Sequence, residues 1–245
     1  METFKNFRLS ANALKIIAML SMVTDHVGFV FFPENLIFRY IGRCAFPIYC
    51  FLLTEGFFHT RNVGRYIARM AVFAFISEIP FNLGLYHTLI YDWNVNVFFT
   101  LTLGLLVMFF SDFMYRKTGN RSPGILFCFL GMMAAEYLHS DYGAMGILVI
   151  YAFYLSYEGR NSGTDKNRKT NTFLMILAET ALFTAEGSVE SYAVFSLVFL
   201  LLYSGKRTGL LWETLHMDKI DGFMKYFFYA FYPLHLLILW LIYSL

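Results

Sequence analysis

Three observations predict that this 245-residue chain is an all-helical bundle crossing a membrane many times. Apolar residues make up 58% of it and aromatic residues 20%, with a mean hydropathy of +0.54, which is more apolar surface than one water-soluble core can hide. These residues come in runs of helical-span length separated by polar stretches. Of the 19 Lys and Arg residues, 17 fall in alternate polar stretches, the pattern of loops retained in the cytoplasm.

In chain order, residues 1–10 form a polar start with Lys5 and Arg8, and Ser10 or Asn12 can cap a first helix that ends at Pro33. Its apolar run, 14–31, leads directly into ionisable residues and has no small-residue cleavage site after it, so it is expected to be retained rather than removed as a signal peptide. Further helices are predicted at about 36–58, 66–86, 94–110, 124–138, 142–157, 172–185, 192–203 and 226–243, for about nine spans in one domain covering 1–245. Residues 158–169, EGRNSGTDKNRK, are the most hydrophilic run and read as a loop. Predicted helices six to eight are short, about 22 Å against a hydrocarbon core of about 30 Å. Seven and eight can therefore also form a hairpin that does not cross, which would leave every other orientation unchanged.

The basic loops place the N-terminus in the cytoplasm and, with nine spans, the C-terminus outside. The opposite loops carry Glu34, His87, Asp92, His139, Asp141, Glu186 and Glu190, and no Lys or Arg. Cys44, Cys50 and Cys128 lie inside apolar runs without CxxC spacing, which argues for packing rather than disulfides or a metal site. Basic residues in separate loop clusters, rather than one patch, argue against nucleic-acid binding.

The exceptions to this layering carry the functional signal. Asp25 and His26 sit inside the first apolar run, where an Asp at a helix centre costs about 2.5–3.5 kcal/mol and needs a partner. Arg39 and Arg43, four apart in the outer half of the second helix, are the two cations outside the basic loops. Glu78 and Asn82, then Asn94, Asn96 and Thr100, then Glu136, Tyr137, Asp141 and Tyr142 fall at the same outer level, so one polar pocket is expected there. Asp25 is expected to pair with one arginine and not to face His26, since adjacent residues on a helix point about 100° apart. At the inner end, Glu55 and His59 are again four apart.

Each feature also has a structural reading. Asp25 with an arginine can be an ion pair that sets helix register, and His26 can bond a backbone carbonyl. Glu78 and Asn82 flank Pro80 and can satisfy the carbonyls it frees. Glu55 and His59 can snorkel to the interface, where Tyr91, Trp93, Tyr115, Trp240 and Tyr243 read as anchors. Glu179 has no evident partner.

LKIIAMLSMVTDHVGFVFFP, FRYIGRCAFPIYCFLLTEGFFHTRN, ISEIPFNL and NVFFTLTLG, with FYPLHLLIL near the end, resemble the TraX family, whose named member acetylates the N-terminal amine of F pilin. The resemblance is dense over 14–104, lighter around DYGAMGILVI and thin from 158 to 222. TraX-type proteins are in turn similar to transmembrane acyltransferases that draw on cytoplasmic acyl-CoA.

The resemblance implies a multi-pass protein of the cytoplasmic membrane, with acetyl-CoA as donor and an extracytoplasmic peptide, protein or glycan as acceptor. It makes His26 the base or acyl relay. Arg39, Arg43, Glu55, His59, Glu78 and Asn96 match other motif positions. On chemical grounds Arg39 or Arg43 can donate to an oxyanion, and Asp25 or Glu78 can raise the basicity of the imidazole. The loops of Arg61, Arg65 and Arg116, near Glu55 and His59, are expected to hold coenzyme A. Asn82, Asn96, Asp141, Tyr142 and His235 are expected to hold the acceptor. A proton-coupled transporter or flippase using Asp25, His26 and Glu78 as a relay is the competing reading, and an interaction protein without chemistry a third.

Overall fold

The computed structural model describes residues 9–161, 189–206 and 221–245, with side chains for all of these but 158–161 and 221–225. The helix expected at 172–185, most of the hydrophilic loop, and Lys5, Arg8, Glu179 and Glu186 lie outside the described residues.

The described residues are helical, with only isolated backbone bridges between Leu9 and Tyr203 and between Val95 and Ser140. The helices are α1 (Ala11–Phe31), α2 (Ile37–Gly42), α3 (Ala45–His59), α4 (Val63–Tyr86), α5 (Val97–Thr118), α6 (Ser122–Tyr137) and α7 (Gly143–Asn161). A 3-10 turn (Glu190–Phe195) then leads into α8 (Ser196–Leu201), and α9 (Asp221–Ser244) closes the chain. Five segments among the described residues are long and apolar enough to cross a membrane: α1, α2 with α3, α4, α5 and Tyr226–Ser244. Ser122–Tyr137, Gly143–Tyr157 and Glu190–Leu201 are apolar but shorter.

Local signals set the ends. Ser10 caps α1, its side chain accepting from Ala13 N at 3.2 Å. Asn62 does the same for α4, accepting from Arg65 N at 2.8 Å. The second predicted helix, expected to be continuous, is broken into α2 and α3 at Arg43 and Cys44. Pro47 explains the break, because its ring clashes with the carbonyl of the residue four earlier, Arg43, and supplies no N–H to it. The chain therefore turns at the two residues that follow Gly42.

The helices pack in a closed order, α1 on α3, α3 on α7, α7 on α5, α5 on α4, α4 on α9, and α9 back on α1. Outside this ring α6 lies on α5 and α7, while the 3-10 turn and α8 lie against α2 and α3. Leu14, Phe46, Ile48, Leu105, Met108, Ile147 and Ile150 are fully buried inside, whereas Leu20, Phe75, Ile79, Phe113 and Leu241 face outward. Such an apolar exterior suits lipid, where helices associate through close packing and polar contacts rather than by escape from water. One end of the ring, the base, carries the start of α1, the end of α3 and the start of α4. The other end, the top, carries the end of α1, α2 and the starts of α5 and α7.

Candidate functional site

At the top, Arg39 and Arg43, four apart and with Gly42 between them, both reach Asp25. Arg39 Nη1 donates to Asp25 Oδ2 at 2.6 Å and Arg43 Nη2 to Oδ1 at 2.7 Å, so both carboxylate oxygens are taken. Pairing with a single arginine, as the sequence suggested, is corrected to pairing with both. Arg43 also donates from Nη1 to Glu190 Oε1 at 2.8 Å, bringing in a loop acid that no local pattern singled out. Two anions and two cations thus balance, which is how charges survive where water is scarce. Gly42 makes the approach possible: a side chain there would occupy the space of the Asp25 carboxylate.

Arg43 is further covered by Tyr142, whose ring lies 5.8 Å from the guanidinium carbon and stacks on Phe46 at 3.7 Å. Tyr142 has a positive φ of 66° at the sharp entry to α7. Next to it, Asp141 N donates to Val95 O at 3.0 Å, and Thr100 donates its hydroxyl to the Asp141 carbonyl. Burial pushes the Asp141 carboxyl up to about 6, with Arg43 opposing the shift.

Neither carboxylate expected beside His26 bonds to it. Asp25 is held by the arginines, and Glu78 Oε2 accepts from Asn96 N at 3.2 Å and Asn96 Nδ2 at 2.6 Å. Asn96 is the N-cap of α5 and also bonds the Ala74 carbonyl at 2.8 Å, so Glu78 joins α4 to a helix N-terminus that favours negative charge. Asn82, buried in the last turns of α4, reaches the Leu89 carbonyl at 3.4 Å. The ring that meets His26 belongs to His235 of α9: His26 Nδ1 and His235 Nε2 are 2.8 Å apart. Tyr232, one turn earlier on α9, lies edge-on to both imidazoles. The spacing of Tyr229, Tyr232 and His235 puts all three on one helix face, a signal the sequence did contain.

Below the histidines, a cavity of about 720 Å³ opens toward the base, lined by α1, α3, α4, α5 and α9. Its upper wall is apolar (Met19, Met22, Leu53, Phe98, Leu101), ending at Tyr232. Along α1 it runs from Asn12 to Met22, about 15 Å at 1.5 Å per residue, and Met22 lies one turn below His26. Its rim is basic, with Lys15, Arg61, Arg65 and Arg69 beside Glu55, His59 and Asn62. Asn12 Nδ2 and Arg69 Nε are buried in this lining with no partner among the described residues. Glu55 accepts from the Tyr203 hydroxyl, and His59 Nδ1 bonds the Glu55 carbonyl at 2.9 Å. Arg61, Arg65, Glu55 and His59 therefore converge as the sequence suggested. Arg116 does not join them; it pairs with Asp112 at 2.7 Å on the exposed end of α5.

The arrangement is thus a donor-rich vestibule at the base and a charge-balanced cluster at the top, with the imidazole pair behind Tyr232, just beyond the lining of the cavity. A family model described as TraX protein matches residues 10–243. A probable fimbrial assembly protein FimC, serogroup H1, of Dichelobacter nodosus is 26% identical over 257 aligned positions, covering 96% of this chain and 96% of that protein. An uncharacterized protein of Rickettsia prowazekii (strain Madrid E) is 26% identical over 160 positions, covering 60% of this chain and 56% of that protein. No solved structure matches the chain.

Proposed function

The chain belongs to the TraX family, and from that membership together with its two-ended site we propose that it is a membrane-bound acetyltransferase. It takes the acetyl group of cytoplasmic acetyl-CoA through the base and passes it to an amine or hydroxyl presented at the top, outside the cytoplasmic membrane. An acceptor at the N-terminus of a pilus subunit agrees with a relative named as a fimbrial assembly protein; a surface peptide or glycan offers the same chemistry.

The observation that carries this reading is the cavity. Its basic rim and unpartnered donors suit the phosphates of coenzyme A, and its apolar upper wall suits an uncharged pantetheine arm and a short acyl group. With the N-terminus in the cytoplasm, the orientation the positive-inside pattern favours, that rim faces the compartment that contains acetyl-CoA. The acceptor nitrogen or oxygen attacks the thioester carbonyl while His26 removes its proton, and an oxyanion forms on the carbonyl oxygen. Arg39 bonds Asp25 through Nη1, which leaves it further N–H groups to offer that oxyanion, whereas Arg43 has both Nη atoms engaged and only a buried Nε without a partner among the described residues. Collapse breaks the C–S bond, and the proton held by His26 goes to the departing thiolate.

Sealed vesicles of known orientation test the reading. Acetyl-CoA supplied on the former cytoplasmic side should support transfer, with the product heavier by about 42 Da on the opposite side and coenzyme A released in equal amount on the donor side. No imposed proton gradient should be needed. A solute that crosses unmodified, with a flux following the proton gradient, would replace the enzyme with a transporter.

A further inference from the structure

We infer that His235 is a positioning residue: it holds His26 as the tautomer protonated on Nδ1 and leaves His26 Nε2 as the bare nitrogen that takes the acceptor's proton. The catalytic meaning of this inference rests on the acyltransferase reading above, but the tautomer itself does not.

The assignment follows from counting donors and acceptors along a short chain of contacts. His235 Nδ1 lies 2.9 Å from the carbonyl oxygen of Phe231, one turn earlier on α9. A carbonyl only accepts, so the hydrogen is on His235 Nδ1, and in a neutral imidazole the other nitrogen, Nε2, is then an acceptor. That Nε2 is 2.8 Å from His26 Nδ1. Two bare nitrogens would repel at this distance, so His26 Nδ1 supplies the hydrogen and His26 Nε2 carries the lone pair. Ring orientation agrees: the imidazole planes differ by 5° with centroids 5.0 Å apart, the geometry of an in-plane N–H···N contact rather than of face-to-face stacking. The Phe231 ring lies near-parallel to His235 at 5.2 Å, and the edge-on Tyr232 adds a second contact, so the plane of His235 is constrained.

A carboxylate is the commoner partner for a histidine base, and the pair departs from that pattern for a physical reason. Asp25 is adjacent to His26 in sequence but is turned away and held by Arg39 and Arg43, while Glu78 is held by Asn96. A neutral imidazole performs the orienting task without adding a buried charge. When His26 Nε2 accepts the acceptor's proton, His26 becomes the imidazolium, with its Nδ1 hydrogen still bonded to His235 Nε2. Release of the Nε2 proton to the thiolate leaves the pair as it began.

The experiment uses the full-length protein in lipid nanodiscs with 15N-labelled histidine, the His26 signals being identified by their loss in His26→Gln. In the unsubstituted protein, His26 Nε2 should show the shift of an unprotonated ring nitrogen and Nδ1 that of a protonated one. His235→Gln, which keeps an acceptor near the former Nε2, should preserve this pattern and most of the turnover. His235→Leu should give a mixture of His26 tautomers and a fall in kcat of about 100-fold, with KM for the acceptor little changed. A His26 that carries its hydrogen on Nε2 in the unsubstituted protein overturns the inference whether or not the variants fold. So does a Leu variant that keeps both the tautomer and the turnover. If the tautomer is as stated but no acetyl transfer occurs under any condition, the positioning geometry stands and the acyltransferase reading fails.

Discussion

The base and the top of the helical ring handle charge in opposite ways. At the base, Arg61 and Arg65 are exposed, Arg69 has a buried Nε without a partner among the described residues, and a wide cavity opens between them. At the top, Asp25, Arg39, Arg43 and Glu190 pair at 2.6–2.8 Å, and Asp25 and Arg43 are buried, with Arg43 Nε and Glu190 Oε2 lacking a partner among the described residues. Cations in water cost little and attract anions, whereas charges in a low dielectric are tolerated only when paired. The contrast teaches that the base offers exposed cations around a cavity, whereas the top spends its charges on a fixed geometry. Substitutions at the two ends should therefore fail in different ways.

The largest effect is expected between the two ends. His26→Ala should lower acetyl transfer by about 10²–10⁴-fold while the protein still inserts and purifies as a folded species, because the change removes a base rather than a packing element. Activity within a few-fold of the unsubstituted protein would take His26 out of the chemistry. Next is Arg43→Ala, which leaves Asp25 and Glu190 without their shared partner and should cost about 3–5 kcal/mol in stability, read as a lower melting midpoint in detergent. Arg39 is more exposed, with 29% of its side chain accessible against 8% for Arg43, so Arg39→Ala should lower turnover more than the midpoint. Equal, purely structural losses at both would reduce the top to a register-setting ion pair.

A smaller effect is expected from pH. The Asp141 carboxyl titrates at about 6 in the fold, above its ordinary value of 3.8, so the folded state binds its proton more tightly than the unfolded chain does. Stability from this group is full below pH 4 and is lost as pH rises through 6, by about 1–3 kcal/mol. Asp141→Asn should flatten that part of the profile; an unchanged slope would mean that another group titrates. The smallest effect belongs to the base. Arg65→Ala should raise KM for acetyl-CoA about two- to fivefold with kcat unchanged, an effect that shrinks in high salt. Arg116→Ala should leave KM unaltered, because Arg116 pairs with Asp112 away from the cavity. If the two variants behave alike, the rim is not selective for the donor and the contrast between the ends weakens.

Much of this organisation was legible along the chain. The apolar runs gave most of the described helices to within a few residues, although α5 continues to Thr118, past the expected end at 110, and the ionisable exceptions gave Asp25, His26, Arg39 and Arg43 as members of one level. Arg61, Arg65, Glu55 and His59 could be grouped because a short turn between antiparallel helices keeps sequence neighbours adjacent in space. The break before Pro47 was not legible in the same way, because Pro80 and Pro233 sit inside helices that continue past them. Glu190 was harder to anticipate: it comes after a long stretch of chain, and nothing local marks it out from other loop acids.

The sequence by itself determined that the chain is a helical membrane bundle and which side chains share a depth, because lipid admits polar groups only where they are needed and so makes each one visible. Only the tertiary structure decided which of them meet. Asp25 takes both arginines because α2 packs on α1 with Gly42 against its carboxylate, and Glu78 is committed to Asn96 because α5 begins beside α4. His26 faces His235, 209 positions away, because α9 returns to pack between α1 and α4. A pattern of apolar residues sets the depth of a helix, but its neighbours and its rotation follow from packing among many side chains at once, and those two variables choose the partner of every buried polar group.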